Sequence, residues 1–208
     1  MNSQTVRRLI DGPAGPIECA IDLPACEARG SAVICHPHPQ FGGTLDNKVV
    51  QTLARALLQL GWRSVRFNFR GIGQSGGSWD DGRGEVDDAL AVIAAEAGVP
   101  APWLLAGFSF GGYVAAAAAA RLAEGAAPQQ LVLVAPSTQK QQVPPVPAGT
   151  VVIHGEADDV VPLSATLDWA RPQSLPVMVF PGVGHFFHGQ LTLLRSVLVR
   201  QLHQLPPP

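Results

Sequence analysis

The chain has 208 residues, with 14 Lys and Arg against 16 Asp and Glu and a formal net charge of -2. The basic residues form no run or patch, so neither nucleic acid nor an anionic membrane is an implied partner. Three cysteines, Cys19, Cys26 and Cys35, are an odd number without CxxC or metal spacing, which argues against a disulfide framework and leaves Cys19 and Cys35 as small buried hydrophobes within strand-like runs.

At this length one domain spanning 1–208 can bury about 70% or more of its unfolded surface without staples. The stretch Met1 to Arg8 lacks an apolar signal core, and no run approaches about 18 uninterrupted apolar residues. A soluble cytoplasmic protein is expected.

In chain order, Thr5 to Ile10 and Pro16 to Leu23 read as two strands around the turn cluster Asp11-Gly12-Pro13-Ala14-Gly15, a hairpin signal. Ser31 to Cys35 is a buried-type strand that runs into His36-Pro37-His38-Pro39-Gln40-Phe41-Gly42-Gly43, too rich in Pro and Gly for helix or strand. Val50, Leu53, Ala54, Leu57 and Leu58 recur at helical spacing between Asn47 and Leu60, and Gly61 closes that helix. A strand from Arg63 to Phe69, a glycine-rich loop from Arg70 to Gly77 and a helix from about Glu85 to Glu96 set a βα rhythm.

The rhythm continues through strands at Trp103 to Phe108, Gln130 to Val134, Thr150 to His154 and Leu175 to Phe180. Helices are expected at Tyr113 to Leu122 and Ser164 to Ala170, followed by a last helix carrying Leu191, Leu194, Leu198, Leu202 and Leu205, with Pro206 to Pro208 as a terminal stop. Apolar, non-alternating strands interleaved with helices imply an α/β fold: an eight-stranded, mostly parallel sheet covered on both faces. The segment 135–149 is too short to hold a lid.

Leu104-Leu105-Ala106-Gly107-Phe108-Ser109-Phe110-Gly111-Gly112 carries the chemistry. It is an apolar strand that enters Gly-x-Ser-x-Gly and leaves into an alanine-rich helix, which reads as a nucleophile elbow. Serine on such a turn is strained, and side chains two residues either side would collide, hence Gly107 and Gly111. The N–H of Phe110, at the helix start, is expected to face a substrate carbonyl as negative charge grows on it.

A serine hydroxyl needs an imidazole to take its proton and a carboxylate to orient that imidazole. Ligand sites of doubly wound sheets gather at the carboxyl ends of strands. Two downstream loops qualify: His154-Gly155-Glu156-Ala157-Asp158-Asp159-Val160-Val161-Pro162, with three carboxylates, and Pro181-Gly182-Val183-Gly184-His185-Phe186-Phe187-His188-Gly189, where His185 is the better placed base. His154, His188 and His203 are read as structural.

With the elbow, the loop Arg70-Gly71-Ile72-Gly73-Gln74-Ser75, the acid loop and Gly182-Val183-Gly184-His185-Phe186, the chain resembles the α/β-hydrolase family over essentially its whole length. More narrowly, His36-Pro37-His38-Pro39 with Gly42-Gly43, Asn47-Lys48-Val49-Val50 and Gly184 to His188 is similar to small, capless bacterial hydrolases of esterase type. The resemblance implies Ser109 as nucleophile, His185 as base and Asp158 as acid, with Asp159 the rival. It also implies a second oxyanion amide from the loop at His36. Pro37 and Pro39 have no N–H to give, so His38 is the implied donor, with Gln40 or Phe41 behind it.

Two decoys compete. Gly71-x-Gly73-x-x-Gly76 matches a dinucleotide fingerprint, but Gly77 to Gly84 extends the loop beyond it and no acidic residue closes a second strand. His36-x-His38 suggests metal, but no further ligand motif accompanies it. No cofactor and no metal are expected. The expected reaction is hydrolysis of a small, neutral short- or medium-chain carboxylic ester. Phe41, Trp79, Phe186, Phe187 and the stretch 135–149 would form apolar walls, and no Arg or Lys pair is placed to grip an anionic leaving group. Thioester or small-amide hydrolysis would use the same groups, and a hydrolase-fold binding module without turnover is the alternative from another class.

Overall fold

A computed structural model describes residues 5–98, 102–123 and 125–203. Leu205, Pro206 to Pro208 and the first four residues lie outside the described residues.

The chain opens with β1 (Val6–Gly12) and β2 (Gly15–Asp22), an antiparallel hairpin in which Gly12 faces Gly15 across the turn. There follow β3 (Ser31–Cys35), α1 (Lys48–Gln59), β4 (Arg63–Phe67), α2 (Arg83–Glu96), β5 (Trp103–Phe108) and α3 (Phe110–Arg121). The remainder is β6 (Gln130–Val134), β7 (Val151–Gly155), α4 (Leu163–Ala170), β8 (Val177–Phe180) and α5 (Leu191–Leu202). All eight strands join one sheet in the order β1-β2-β4-β3-β5-β6-β7-β8. Pairing is antiparallel for β1–β2 and β2–β4 and parallel from β4 through β8.

Alternate residues of each strand feed opposite layers, as the two-residue period requires. Trp103 and Leu105 of β5 join α2 and α3 on one face, while Leu104, Ala106 and Phe108 join α1 and α5 on the other. Ala115, Ala116 and Ala118 of α3 are buried, and their small side chains let that helix lie close to the sheet. Asn47 starts α1, its side-chain oxygen accepting from the amides of Val49 (2.9 Å) and Val50 (3.3 Å). Cys19 and Cys35 are buried among apolar groups, and burial pushes the Cys19 thiol up to about 12.

This strand order creates the site. From β3 the chain passes to β4 on one side and then to β5 on the other, so the loops leaving the carboxyl ends of β3 and β5 part from each other and open a crevice. Two local readings need correction. The loop after β3 contains one tight helical turn at Pro39–Phe41, closed by Gly42 with φ 78°. The fourth strand ends at Phe67: the Asn68 amide still reaches the Glu18 carbonyl of β2, but the Phe69 amide turns to a histidine ring, so the ladder goes no further. The elbow helix begins at Phe110, where the nucleophile-elbow reading puts its first free amide.

Candidate active site

Ser109 sits between β5 and α3 with φ 57° and ψ −120°, a conformation that costs a non-glycine residue free energy and marks a turn held by its surroundings. Its own amide donates to the Val134 carbonyl (2.9 Å), while its carbonyl accepts from Gly112 (2.9 Å) and Ser137 (3.1 Å). A β-carbon on Gly107 would overlap the Gly111 carbonyl, and one on Gly111 would overlap the carbonyls of Cys35 and His36. The elbow is therefore pressed against the end of β3, and the residues that follow β3 are its immediate neighbours.

His185 reaches the site from the loop after β8. Its Nε2 lies 3.0 Å from the Ser109 Oγ and its Nδ1 2.7 Å from the Asp158 Oδ2. With a carboxylate on Nδ1, that nitrogen carries the proton and the Nε2 lone pair faces the serine hydroxyl. All three residues are buried. Burial works to raise the Asp158 carboxyl, but its bond to His185 and the amides of Val161 (2.8 Å) and Val160 (2.9 Å) on Oδ1 outweigh it and hold the group below its ordinary value. His154, at the end of β7, is fully buried, donates from Nε2 to the Val161 carbonyl (2.8 Å) and lies 3.3 Å from the Asp158 Oδ2. Burial lowers its pKa, so it serves this loop as a neutral donor. Asp159 is exposed.

The loop after β3 is pinned at both ends. Buried His36 accepts the Phe69 amide on Nε2 (3.0 Å) and holds the Pro37 carbonyl from Nδ1 (2.6 Å), and burial drives its pKa down to about 3. Both ring nitrogens are occupied, which leaves none to ligate a metal. The Leu45 amide donates to the Asn68 side chain (2.9 Å), itself bonded to Glu18 (2.8 Å). The glycine-rich loop braces the same network. Ser75 bridges the Glu18 amide (3.0 Å) and the Asn68 carbonyl (2.8 Å), and a side chain on Gly73 would meet Glu18 and Asn68.

Between these pins, the carbonyl of His38 accepts from Phe41 (3.1 Å) and Gly43 (3.0 Å), while its own N–H meets no acceptor among the described residues. Phe110, the first residue of α3, has no intrahelical acceptor for its N–H. The His38 ring lies 5.0 Å from that of Phe110. The amides of His38 and Phe110, on the two loops that meet at the nucleophile, are thus left without a hydrogen-bond acceptor among the described residues.

A cleft of about 300 Å³ opens over Ser109 and His185, walled by Pro37, Phe41, Val160 and Phe186. A second hollow of about 420 Å³ shares Val160, His185 and Phe186 with the cleft and is also lined by His188 and Asp159.

The family described as the α/β hydrolase fold matches residues 33–148. A serine hydrolase from Xanthomonas campestris, described as lacking a lid, is 40% identical and superposes with a TM-score of 0.89 over 100% of this chain and 98% of its own. A serine hydrolase homologue from Coxiella burnetii is 40% identical, with a TM-score of 0.80 over 97% of this chain and 98% of that one. The chain belongs to the α/β-hydrolase family. An uncharacterised Rickettsia prowazekii protein is 35% identical over 116 residues, half of this chain, and the match spans 45% of that protein's length.

Within this α/β hydrolase, the connector 135–150 contains no helix or strand among its residues, all of them described. No helix among the described residues is long and apolar enough to cross a membrane. Of the four expected wall residues, Phe41 (78% exposed) and Phe186 (44%) line the cleft. Phe187 does not: it is fully buried on the α1/α5 side and packs on Phe180, because its φ of 52° turns the chain so that consecutive phenylalanines point opposite ways. Trp79 does not line the cleft either, and instead backs the His38 ring at 4.5 Å. Lys140 and Asn47 do line it; Lys140 does not stand out in the sequence, and Asn47 does so only as part of a resemblance motif with no pocket role. The apolar stretch 135–149 thus brings a cation to the cleft.

Proposed function

We propose that this α/β hydrolase cleaves carboxylic esters of short or medium acyl chain through an acyl-enzyme on Ser109. Ser109 Oγ attacks the ester carbonyl while His185 Nε2 takes its proton, and Asp158 steadies the imidazolium. The amides of Phe110 and His38 take up the negative charge of the tetrahedral oxygen. His185 then returns the proton to the departing alcohol. Water, deprotonated by the same imidazole, attacks the acyl carbon, releasing the acid and restoring Ser109.

The observation that carries this reading is the chain Ser109 Oγ to His185 Nε2 to Asp158, at 3.0 and 2.7 Å, opening onto a mainly apolar cleft. The cleft volume of about 300 Å³ suits an acyl group of a few carbons better than a long lipid chain. The test is a series of 4-nitrophenyl esters from acetate to decanoate. The reading predicts an optimum at short or medium chain, with turnover abolished in Ser109→Ala. Equal rates for wild type and variant on every ester would overturn it.

A further inference from the structure

The turn after β6 is tied to the nucleophile. Ser137 donates its amide to the Ser109 carbonyl (3.1 Å), Gln141 closes the turn onto the Ser137 carbonyl (3.0 Å), and Thr138 bonds Thr166 of α4 (3.0 Å). This anchoring delivers Lys140 to the mouth of the cleft, with its ammonium 5.8 Å from the centre of the exposed Phe41 ring. No carboxylate pairs with Lys140 among the described residues, and none lines the cleft. Its other polar lining points the same way. Asn47 spends its oxygen on the amides of Val49 and Val50, so its amide nitrogen is the group left to offer, and the His38 ring lies beside them. Burial and the neighbouring Lys140 charge both lower the His38 pKa, which leaves Lys140 rather than that imidazole as the source of positive charge in the cleft.

The direction of the substrate follows from proton transfer. His185 must protonate the leaving oxygen, so the alcohol is assigned to the neighbourhood of His185 and Phe186, which also line the second hollow, and the acyl group to the remaining lining, which includes Phe41 and Lys140.

We propose that Lys140 makes the acyl end of this cleft an anion subsite, so that the preferred ester carries a carboxylate at the far end of its acyl chain, as a hemi-ester of a short dicarboxylic acid does. The proposal rests on the ester reading above. It revises the expectation of a neutral substrate: one cation, held over an aromatic ring in a cleft without acids, is enough to discriminate charge.

The test compares mono-4-nitrophenyl adipate with 4-nitrophenyl hexanoate, equal in chain length and differing in one terminal carboxylate. Each rate is corrected for spontaneous hydrolysis, and the readout is the ratio of their kcat/KM values. At low ionic strength the wild type is expected to favour the adipate about fivefold, the size of a good exposed ion pair. The ratio falls with added salt, drops to parity or below in Lys140→Ala, inverts in Lys140→Glu and recovers in Lys140→Arg. A ratio that stays the same in wild type, Lys140→Ala and Lys140→Glu overturns the subsite while leaving ester hydrolysis standing. Failure of the wild type to turn over either ester above the Ser109→Ala background refutes ester hydrolysis, and the subsite with it.

Discussion

His36 lets the stability of the loop beside the nucleophile be read as a function of pH. Burial holds its pKa near 3 against an ordinary 6.5, with the Phe69 amide on Nε2 and the Pro37 carbonyl on Nδ1. At pH 8 neither the folded nor the unfolded chain protonates this ring, so it adds no pH dependence there. Below about 6.5 the unfolded chain binds a proton that the folded chain refuses. Stability therefore falls with pH, and the loss stops growing only near pH 3. At pH 5, with about 1.36 kcal/mol for each pH unit below the ordinary pKa, the penalty is about 2 kcal/mol, large beside the 5–15 kcal/mol typical of a domain. His36→Gln keeps an acceptor for the Phe69 amide and cannot titrate. Urea unfolding of both proteins at pH 8 and pH 5 gives the difference directly, and contributions from groups common to both, His154 among them, cancel. The wild type is expected to lose about 2 kcal/mol more than the variant between the two pH values, whatever their relative stability at pH 8. Equal losses would mean that the folded loop accepts the proton freely, and the account of how it is pinned would be wrong. Imidazole nitrogen shifts provide the same readout without a variant, and are expected to stay those of a neutral ring down to pH 5.

Asp158→Asn is expected to lower kcat by up to about 10⁴-fold, while Asp159→Asn, at an exposed position, changes it little; steady-state kinetics on one aryl ester decides between the neighbours. His38 has φ −53° and its amide meets no acceptor among the described residues, so His38→Pro fits the backbone and removes only an N–H beyond what His38→Ala removes. A further fall of about 10²-fold or more in kcat from the Ala to the Pro variant is the expected result, and equal kcat values would place the second oxyanion donor elsewhere. Phe187→Ala should destabilise the fold by about 3–5 kcal/mol, as loss of a buried ring does, whereas Phe186→Ala should raise KM with little change in unfolding free energy.

Much of the architecture was legible because apolar runs of strand length alternate with helical periodicity, and a parallel sheet must bury both faces. Strand order narrows the candidate triad to loops at the carboxyl ends of strands, where one crevice collects them, but leaves three carboxylates open; the choice of Asp158 comes from the resemblance of the acid loop to the α/β-hydrolase family. What could not be read depended on single dihedral angles and loop closures. Nothing in Phe186-Phe187 says which ring faces the cleft, since a positive φ at one residue decides it. Lys140 sits in a proline-rich stretch without periodicity, and its position follows from the Ser137 amide bonding the Ser109 carbonyl. The dinucleotide-like glycines have another cause: Gly73 lies under the Glu18 and Asn68 side chains that brace the loop after β3. His154 opens the acid-loop signature, but its type alone does not reveal a ring 3.3 Å from the candidate acid, a contact set by how the loop closes.

The central claim is that Ser109 is an activated nucleophile, and the most direct measurement is intact-mass analysis after reaction with a fluorophosphonate, which requires no knowledge of the substrate. One adduct per chain is expected in the wild type, absent in Ser109→Ala and strongly slowed in His185→Ala. No adduct on the wild type, or an adduct that persists in Ser109→Ala, would contradict the mechanism and favour a hydrolase fold that binds without turnover.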